Sequence, residues 1–273
     1  MNTINHYAVF GSPISHSKSP RIHQLFAMQT HQNLDYIAQE VTANNFISTV
    51  ENFFKKGGVG LNCTVPLKEL AWQFANKKTE RAEFAKAVNT LALQSDGTIL
   101  GDNTDGIGLV NDLVFNHDIE LKNKRILILG AGGATRGILS PLLEQQPDYL
   151  IVANRSVEKA AALAIEFNNK FTSCSFDALS GEKFDLILNA TSASLNDELP
   201  PLPPNLLTEN GICYDLAYGN LPTAFVRWGT SQNARKSLDG LGMLVEQAAE
   251  AFKLWRGIQP NTKSVIELLN SER

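Results

Sequence analysis

Two short stretches carry side chains able to move a proton. "GLNCTVPLKE" (60–69) closes an apolar, strand-like run with the polar Asn62 and Thr64, breaks the ladder at Pro66 and puts Lys68 on the first turn of a helix. A cation there opposes the helix dipole and is poorly placed for stability, which marks the lysine as a candidate for proton exchange. "GDNTDG" (101–106) sets Asp102 and Asp105 on either side of Asn103-Thr104. Either aspartate alone is explained as a turn former or helix cap; a structural role for both is the less favoured reading. A third stretch, "PISHSKSP" (13–20), is rich in hydroxyls beside a strand end. Ser19 is expected to cap the next helix, with Pro20 in its first turn. Ser15 and Ser17 have no such simple task and could hold a carboxylate, while His16 between them reads as packing or capping.

A fourth stretch points to a cofactor. "GAGGAT" (130–135) lies between an expected strand and helix, where a dinucleotide fingerprint belongs. Gly130 permits the tight turn, Gly132 lets the backbone approach a pyrophosphate, and the helix N-terminus supplies N–H groups. Thr135 stands where a third glycine often is, so a slightly wider helix-to-strand packing is expected. Asn154 follows Gly132 by 22 residues, close to the ~20 of a ribose-binding position. An acid there serves NAD; this chain offers Asn154, Arg155 and Ser156, with Lys159 a turn later. Arg155 and Lys159 can converge on a 2′-phosphate, each charge-assisted bond contributing roughly 1.5–3 kcal/mol. A solvated basic pair is the competing reading, common for Lys159 alone and rarer for the whole cluster. The preferred ligand is NADP.

These residues need a scaffold. From residue 125, "RILILG", "YLIVA", "FTSCSF", "FDLILNA" and "GICYDLA" alternate with helical stretches, which indicates a parallel sheet covered on both faces. The first 105 residues alternate independently: "HYAVFGS", "LDYIAQEV" and "GVGLNCT" read as strands, and 88–101 as a hairpin turned at Asp96-Gly97. "LGMLVEQAAEAFKLWRG" and "TKSVIELLNS" are helices expected to pack back on the N-terminal part. The expectation is α/β in two domains, 1–105 plus 240–273 and 106–239, the second Rossmann-like, with ligands in a cleft between them.

The formal net charge of −4 gives no bulk reason to bind nucleic acid or an anionic membrane. No apolar run approaches the ~18 residues of a membrane span, and the N-terminus lacks a signal-peptide layout. Cys63, Cys174 and Cys213 form no CxxC and read as buried free thiols, so a cytoplasmic protein is expected. The histidines form no metal motif, so no metal is expected. Monomer and homodimer are both open.

Taken in order, "FGSPISHSKSPRIH", "GLNCTVPLKE", "AVNT", "GDNTDG", "GAGGATRG", "NRS", "NATS", "YDLAY" and "DGLGMLVEQAA" resemble the shikimate dehydrogenase family over almost the whole chain. The resemblance implies reversible reduction of 3-dehydroshikimate to shikimate with NADPH, in aromatic amino-acid biosynthesis. It implies that Ser15 and Ser17 bind the substrate carboxylate, with Tyr218 close to that end. Thr64, Lys68, Asn89, Asp105 and Gln247 would hold the ring hydroxyls and carbonyl, and Asn62 would support them. Lys68 and Asp105 match the family's catalytic pair. Residues Gly130, Ala131, Gly132, Gly133 and Ala134 match its pyrophosphate loop, and 154–159 its 2′-phosphate clamp. Leu216 and Gly240 match positions near the nicotinamide half, and Glu80 a weaker cofactor contact. Ser194 stands where the family commonly has glycine, and Gly219-Asn220 also depart. The rivals are a quinate/shikimate enzyme using NAD or both cofactors, and a non-catalytic NADPH-binding regulator.

Overall fold

Runs of β-branched and leucine residues bounded by glycine, asparagine or proline become strands in both halves of the chain. The computed structural model describes residues 4–273. It comprises two units, one formed by the chain up to Gly108 with Leu244–Leu269, the other by Leu109–Met243 with Asn270–Arg273.

The first unit begins with β1 (Asn5–Gly11), α1 (Ser19–Thr30), β2 (Leu34–Glu40) and α2 (Phe46–Lys55). It continues with β3 (Gly58–Cys63), α3 (Lys68–Phe74), β4 (Lys77–Lys78), α4 (Glu80–Ala85), β5 (Thr90–Leu93), β6 (Ile99–Asp102) and α5 (Asp105–Asn111). The strand order is β2-β1-β3-β5-β6-β4. β1 runs parallel to β2 and β3, while β5 is antiparallel to both β3 and β6. The β5–β6 hairpin turns at Asp96-Gly97, where Gly97 takes a φ of 82° that side chains disfavour. α2 turns Phe46 and Val50, one helical turn apart, into a core with Phe10, Leu61, Leu67 and Leu91.

The second unit holds β7 (Arg125–Leu129), α6 (Gly133–Glu144), β8 (Tyr149–Ala153), α7 (Val157–Glu166) and β9 (Thr172–Cys174). β10 (Phe184–Asn189), β11 (Leu207–Asp215), α8 (Ala224–Ser231) and β12 (Lys236–Leu238) follow. All pairings are parallel in the order β12-β11-β10-β7-β8-β9. β7 is buried on both faces: Ile126 and Ile128 enter one core, Leu127 and Leu129 the other. The chain winds outward from β7 through β8 to β9, then returns to the opposite side at β10. The strand order therefore reverses between β7 and β10, which is where open α/β sheets bind ligands.

Two helices end the chain, α9 (Leu241–Arg256) and α10 (Thr262–Ser271). From Leu244 onward α9 packs within the first unit. Trp255 Nε1 donates to Leu91 O at 3.0 Å and Arg256 Nε to Gln32 Oε1 at 2.8 Å. Gly60 is needed beneath that indole, because a Cβ there would lie 2.5 Å from Trp255 Nε1.

Four sequence expectations change. Ser19 is the first residue of α1 and not its cap; Lys18 precedes the helix, and Ser17 Oγ accepts from Ser19 N at 3.3 Å. Ser17 therefore has a local role that the sequence reading denied it. His16 is exposed, so packing does not explain it. Cys63 and Cys213 are buried free thiols, but Cys174, on the short edge strand β9, is only partly covered. Among the described residues no helix is long and apolar enough to cross a membrane.

Candidate active site

Lys68 begins α3, the helix that follows β3, and Asp105 begins α5, the helix that follows β6. β5 lies between β3 and β6, and each pairs with it. Lys68 Nζ donates to Asp105 Oδ2 at 2.6 Å. Both side chains are largely buried but keep some exposure, 27% for the lysine and 12% for the aspartate. The pair is thus reachable by a small molecule yet held in a fixed orientation.

Asn89, just before β5, ties the arrangement together. Its Nδ2 donates to Asp105 Oδ1 at 2.8 Å, to Thr104 Oγ1 at 2.9 Å and to Gln247 Oε1 at 3.3 Å. Its Oδ1 accepts from Thr104 N at 2.9 Å. Gln247 reaches this point from α9, and its Nε2 donates to Leu244 O at 2.8 Å. Gly108 permits that approach, since a Cβ there would sit 2.7 Å from Gln247 Cβ. Asn62 supports Asn89 from β3, with Nδ2 donating to Asn89 O at 3.0 Å, and itself accepts from Tyr36 OH at 2.6 Å. Thr64 follows β3, and a Cβ on Gly11 would collide with its Cγ2.

The two aspartates of "GDNTDG" separate in role. Asp102 is 1% exposed and bound by Arg81 Nε at 2.7 Å, Arg81 Nη2 at 2.5 Å and Thr79 Oγ1 at 2.6 Å. Burial pushes its carboxyl up; Arg81, Thr79 and the Asn103 N–H together outweigh this and hold it below the usual range. Asp102 is a structural strut, and Asp105 faces the lysine. Sequence reading missed Thr104, Asn103 and Tyr36: Asn103 Oδ1 accepts from Asp105 N at 3.1 Å and its Nδ2 donates to Ala87 O at 3.0 Å. The signal for two of them was their place inside the motif. Ser15 is exposed and Ser17 partly covered after β1.

In the second unit, Gly130 follows β7 with a φ of 99°, and a Cβ there would meet Thr191 Cγ2 at 3.1 Å. Gly132 and Gly133 have no atom within 4 Å of where a Cβ would stand. Gly132 precedes α6 with no side-chain cap on that helix. An open glycine surface over uncapped N–H groups is what a pyrophosphate requires. Ala131 and Ala134 complete the turn. Thr135 is fully buried and donates from Oγ1 to Gly130 O at 2.7 Å, so its hydroxyl closes the turn it departs from.

The corner after β8 presents Asn154, whose Nδ2 donates to Ser156 O at 2.9 Å, then Arg155 and Lys159, both exposed. No acidic side chain occupies residues 154–157. Opposite, after β11, Leu216 N donates to Asn189 O at 2.9 Å, and a Cβ on Gly240 would collide with Leu216 O. Tyr218 lies in this unit, partly covered, with burial pushing its hydroxyl pKa up. Glu80 is in the first unit, exposed on the first turn of α4, where its charge complements the helix dipole. Among the described residues no group of His, Cys, Asp and Glu could hold a metal ion.

Three family models match along the chain. Residues 9–91 match the shikimate dehydrogenase substrate binding domain, 113–196 the shikimate / quinate 5-dehydrogenase domain, and 240–269 the shikimate 5′-dehydrogenase C-terminal domain. The chain is 58% identical to the NADP(+) shikimate dehydrogenase of Methylococcus capsulatus, over 100% of this chain and 99% of that one. A solved Ael1 enzyme from Pseudomonas putida superposes with a TM-score of 0.93 at 47% identity, over 97% of this chain and 98% of that one. The Thermus thermophilus shikimate 5-dehydrogenase, solved in complex with NADP(H) and shikimate, gives 0.89 at 31% identity, over 99% and 100%. The chain belongs to the shikimate dehydrogenase family.

Proposed function

We propose that the chain catalyses the reversible reduction of 3-dehydroshikimate to shikimate with NADPH, a step of aromatic amino-acid biosynthesis in the cytoplasm. The observation that carries this reading is the Lys68–Asp105 contact of 2.6 Å, locked by Asn89 and Gln247 in one unit. The first unit is then the substrate-binding domain and the second the NADP-binding domain.

Each group has a chemical task. NADPH, when bound, supplies the hydride that the carbonyl carbon receives. The carbonyl oxygen needs a proton, and Lys68 Nζ donates it; in the reverse direction Lys68 takes the proton from the hydroxyl. Asp105 orients Lys68 and accepts from a ring hydroxyl, while Asn89, Thr64 and Gln247 fix the ring. Ser15 and Ser17 donate to the substrate carboxylate. The bond from Ser19 N uses only an acceptor lone pair of Ser17, so its O–H hydrogen is still available to donate. Tyr218 serves the same end of the substrate. General acid–base assistance of this kind contributes about 10²–10⁴-fold.

Gly130, Gly132 and Gly133 with the start of α6 would hold the pyrophosphate, Asn154, Arg155, Ser156 and Lys159 the 2′-phosphate, and Leu216 and Gly240 the nicotinamide end. Glu80 is assigned a minor contact. The test is NADPH oxidation by the purified protein with 3-dehydroshikimate, repeated with NADH. Fast turnover with NADPH alone is expected. Equal turnover with both cofactors would refute the basic ribose corner, and tight NADPH binding without turnover would leave a regulator.

A further inference from the structure

The loop after β10 and the loop after β11 share one buried carboxylate. Asp215 ends β11 with 0% exposure. Its Oδ1 accepts from Asn189 Nδ2 and Ala217 N, both at 3.1 Å. Its Oδ2 accepts from Ser194 Oγ at 2.5 Å and Thr223 Oγ1 at 2.6 Å. These four partners are all neutral. Ser194 comes from the loop after β10 and also accepts from Asn189 Nδ2 at 3.1 Å. Thr223 belongs to the loop after β11 and caps α8, accepting from Val226 N at 3.2 Å. On the outside, Arg227 spans the same two loops, from Asp197 Oδ1 at 2.6 Å to Pro222 O at 2.7 Å. That outer link is exposed and contributes little.

Topology gives these loops a task. β7 carries the glycine turn, β8 carries the Asn154 corner on one side, and β10 and β11 lie on the other. A dinucleotide crossing at β7 with its adenosine over β8 must lay its reacting half over the ends of β10 and β11. The loop after β10 also abuts the turn itself, since a Cβ on Gly130 would sit 3.1 Å from Thr191 Cγ2 and 3.2 Å from Ala190 O.

We propose that Ser194, acting through Asp215, is a positioning residue for hydride transfer: it joins the two loops into one rigid floor beneath the nicotinamide. A serine at this place supplies a hydroxyl that glycine cannot, and Asp215 depends on it for half of the bonding at Oδ2. The proposal rests on the NADPH-dependent reaction assigned above.

The test compares Ser194→Gly, Ser194→Ala and Ser194→Thr with the parent protein. Amide hydrogen exchange on the cofactor-free proteins is expected to speed up at residues 190–196 and 215–223 in the Gly and Ala variants and to return towards the parent rate in Thr. With NADPH and 3-dehydroshikimate, kcat falls about tenfold in Gly and Ala while both KM values stay within about twofold, as misorientation without lost binding requires. The isotope effect from NADPH deuterated at the transferred position rises in the same two variants, and Thr restores both quantities. A purely structural serine would lower stability without raising the isotope effect, and that result overturns the proposal. So does unchanged exchange in the Ala variant. If the parent protein shows no turnover at all, the assigned reaction fails, and the exchange arm still decides whether Ser194 braces the loops.

Discussion

His23 is expected to make the first unit acid-sensitive. It lies on α1 with 1% exposure, and neither ring nitrogen has a hydrogen-bond partner among the described residues. Its ring stacks on Tyr36 at 4.2 Å and lies 5.4 Å from the Trp255 ring. Burial pushes its pKa down from 6.5 to about 3. A histidine depressed in the folded state stays neutral there, while the unfolded chain takes up a proton below 6.5. Stability is therefore lost as pH falls from 6.5 towards 3. Between pH 7 and pH 5 the linked loss is about 2 kcal/mol, because each pH unit below 6.5 costs about 1.36 kcal/mol. His23→Phe fills a similar volume and cannot titrate. Urea unfolding at both pH values, for parent and variant, separates His23 from every carboxylate, because those titrate alike in the two proteins. Of the three tryptophans, Trp72 and Trp255 lie in the first unit and Trp228 in the second. A Trp228→Phe background therefore lets emission report the first unit. The parent is expected to lose about 2 kcal/mol more than the variant over this range; identical losses would refute the reasoning.

Arg81→Met leaves the Asp102 carboxylate buried without its cation and is expected to cost about 3–5 kcal/mol by urea unfolding. Because Asp102 is held below its usual range chiefly by Arg81, the stability it contributes in the parent is present above about pH 4 and lost as pH falls through the folded value; the variant lacks this contribution, so the stability gap between parent and variant narrows as pH falls. Arg155→Ala is expected to raise KM for NADPH about tenfold or more, from loss of one charge-assisted bond, with KM for NADH nearly unchanged. Equal effects on the two cofactors in steady-state kinetics would remove the 2′-phosphate clamp. Gly130→Ala forces a side chain into a φ of 99° and against Thr191, and is expected to lower both Tm and NADPH affinity, read by melting with and without NADPH.

What was legible in the sequence was local. The glycine turn, the basic corner and the β5–β6 hairpin are set by residues adjacent in the chain, so spacing and turn chemistry suffice to see them. The "GDNTDG" aspartates could not be told apart, because what separates them arrives from elsewhere: Arg81 from α4 and Lys68 from α3. Thr135 looked like a loss from the glycine fingerprint because its compensating bond to Gly130 O exists only once the turn is folded. The start of α1 was misplaced because Ser17 and Ser19 have the same chemistry two residues apart. Tyr36 and His23 gave no signal, since their link to the site runs through Asn62 on another strand.

The most direct measurement is Lys68→Met assayed for turnover and for shikimate binding in parallel. Calorimetry is expected to show shikimate still bound, through the serines, Asn89 and Gln247, while kcat falls about 10²-fold or more because the carbonyl oxygen has lost its proton source. Turnover near the parent level would contradict the account, since Lys68 would then be holding the substrate or the fold and the proton would come from another group.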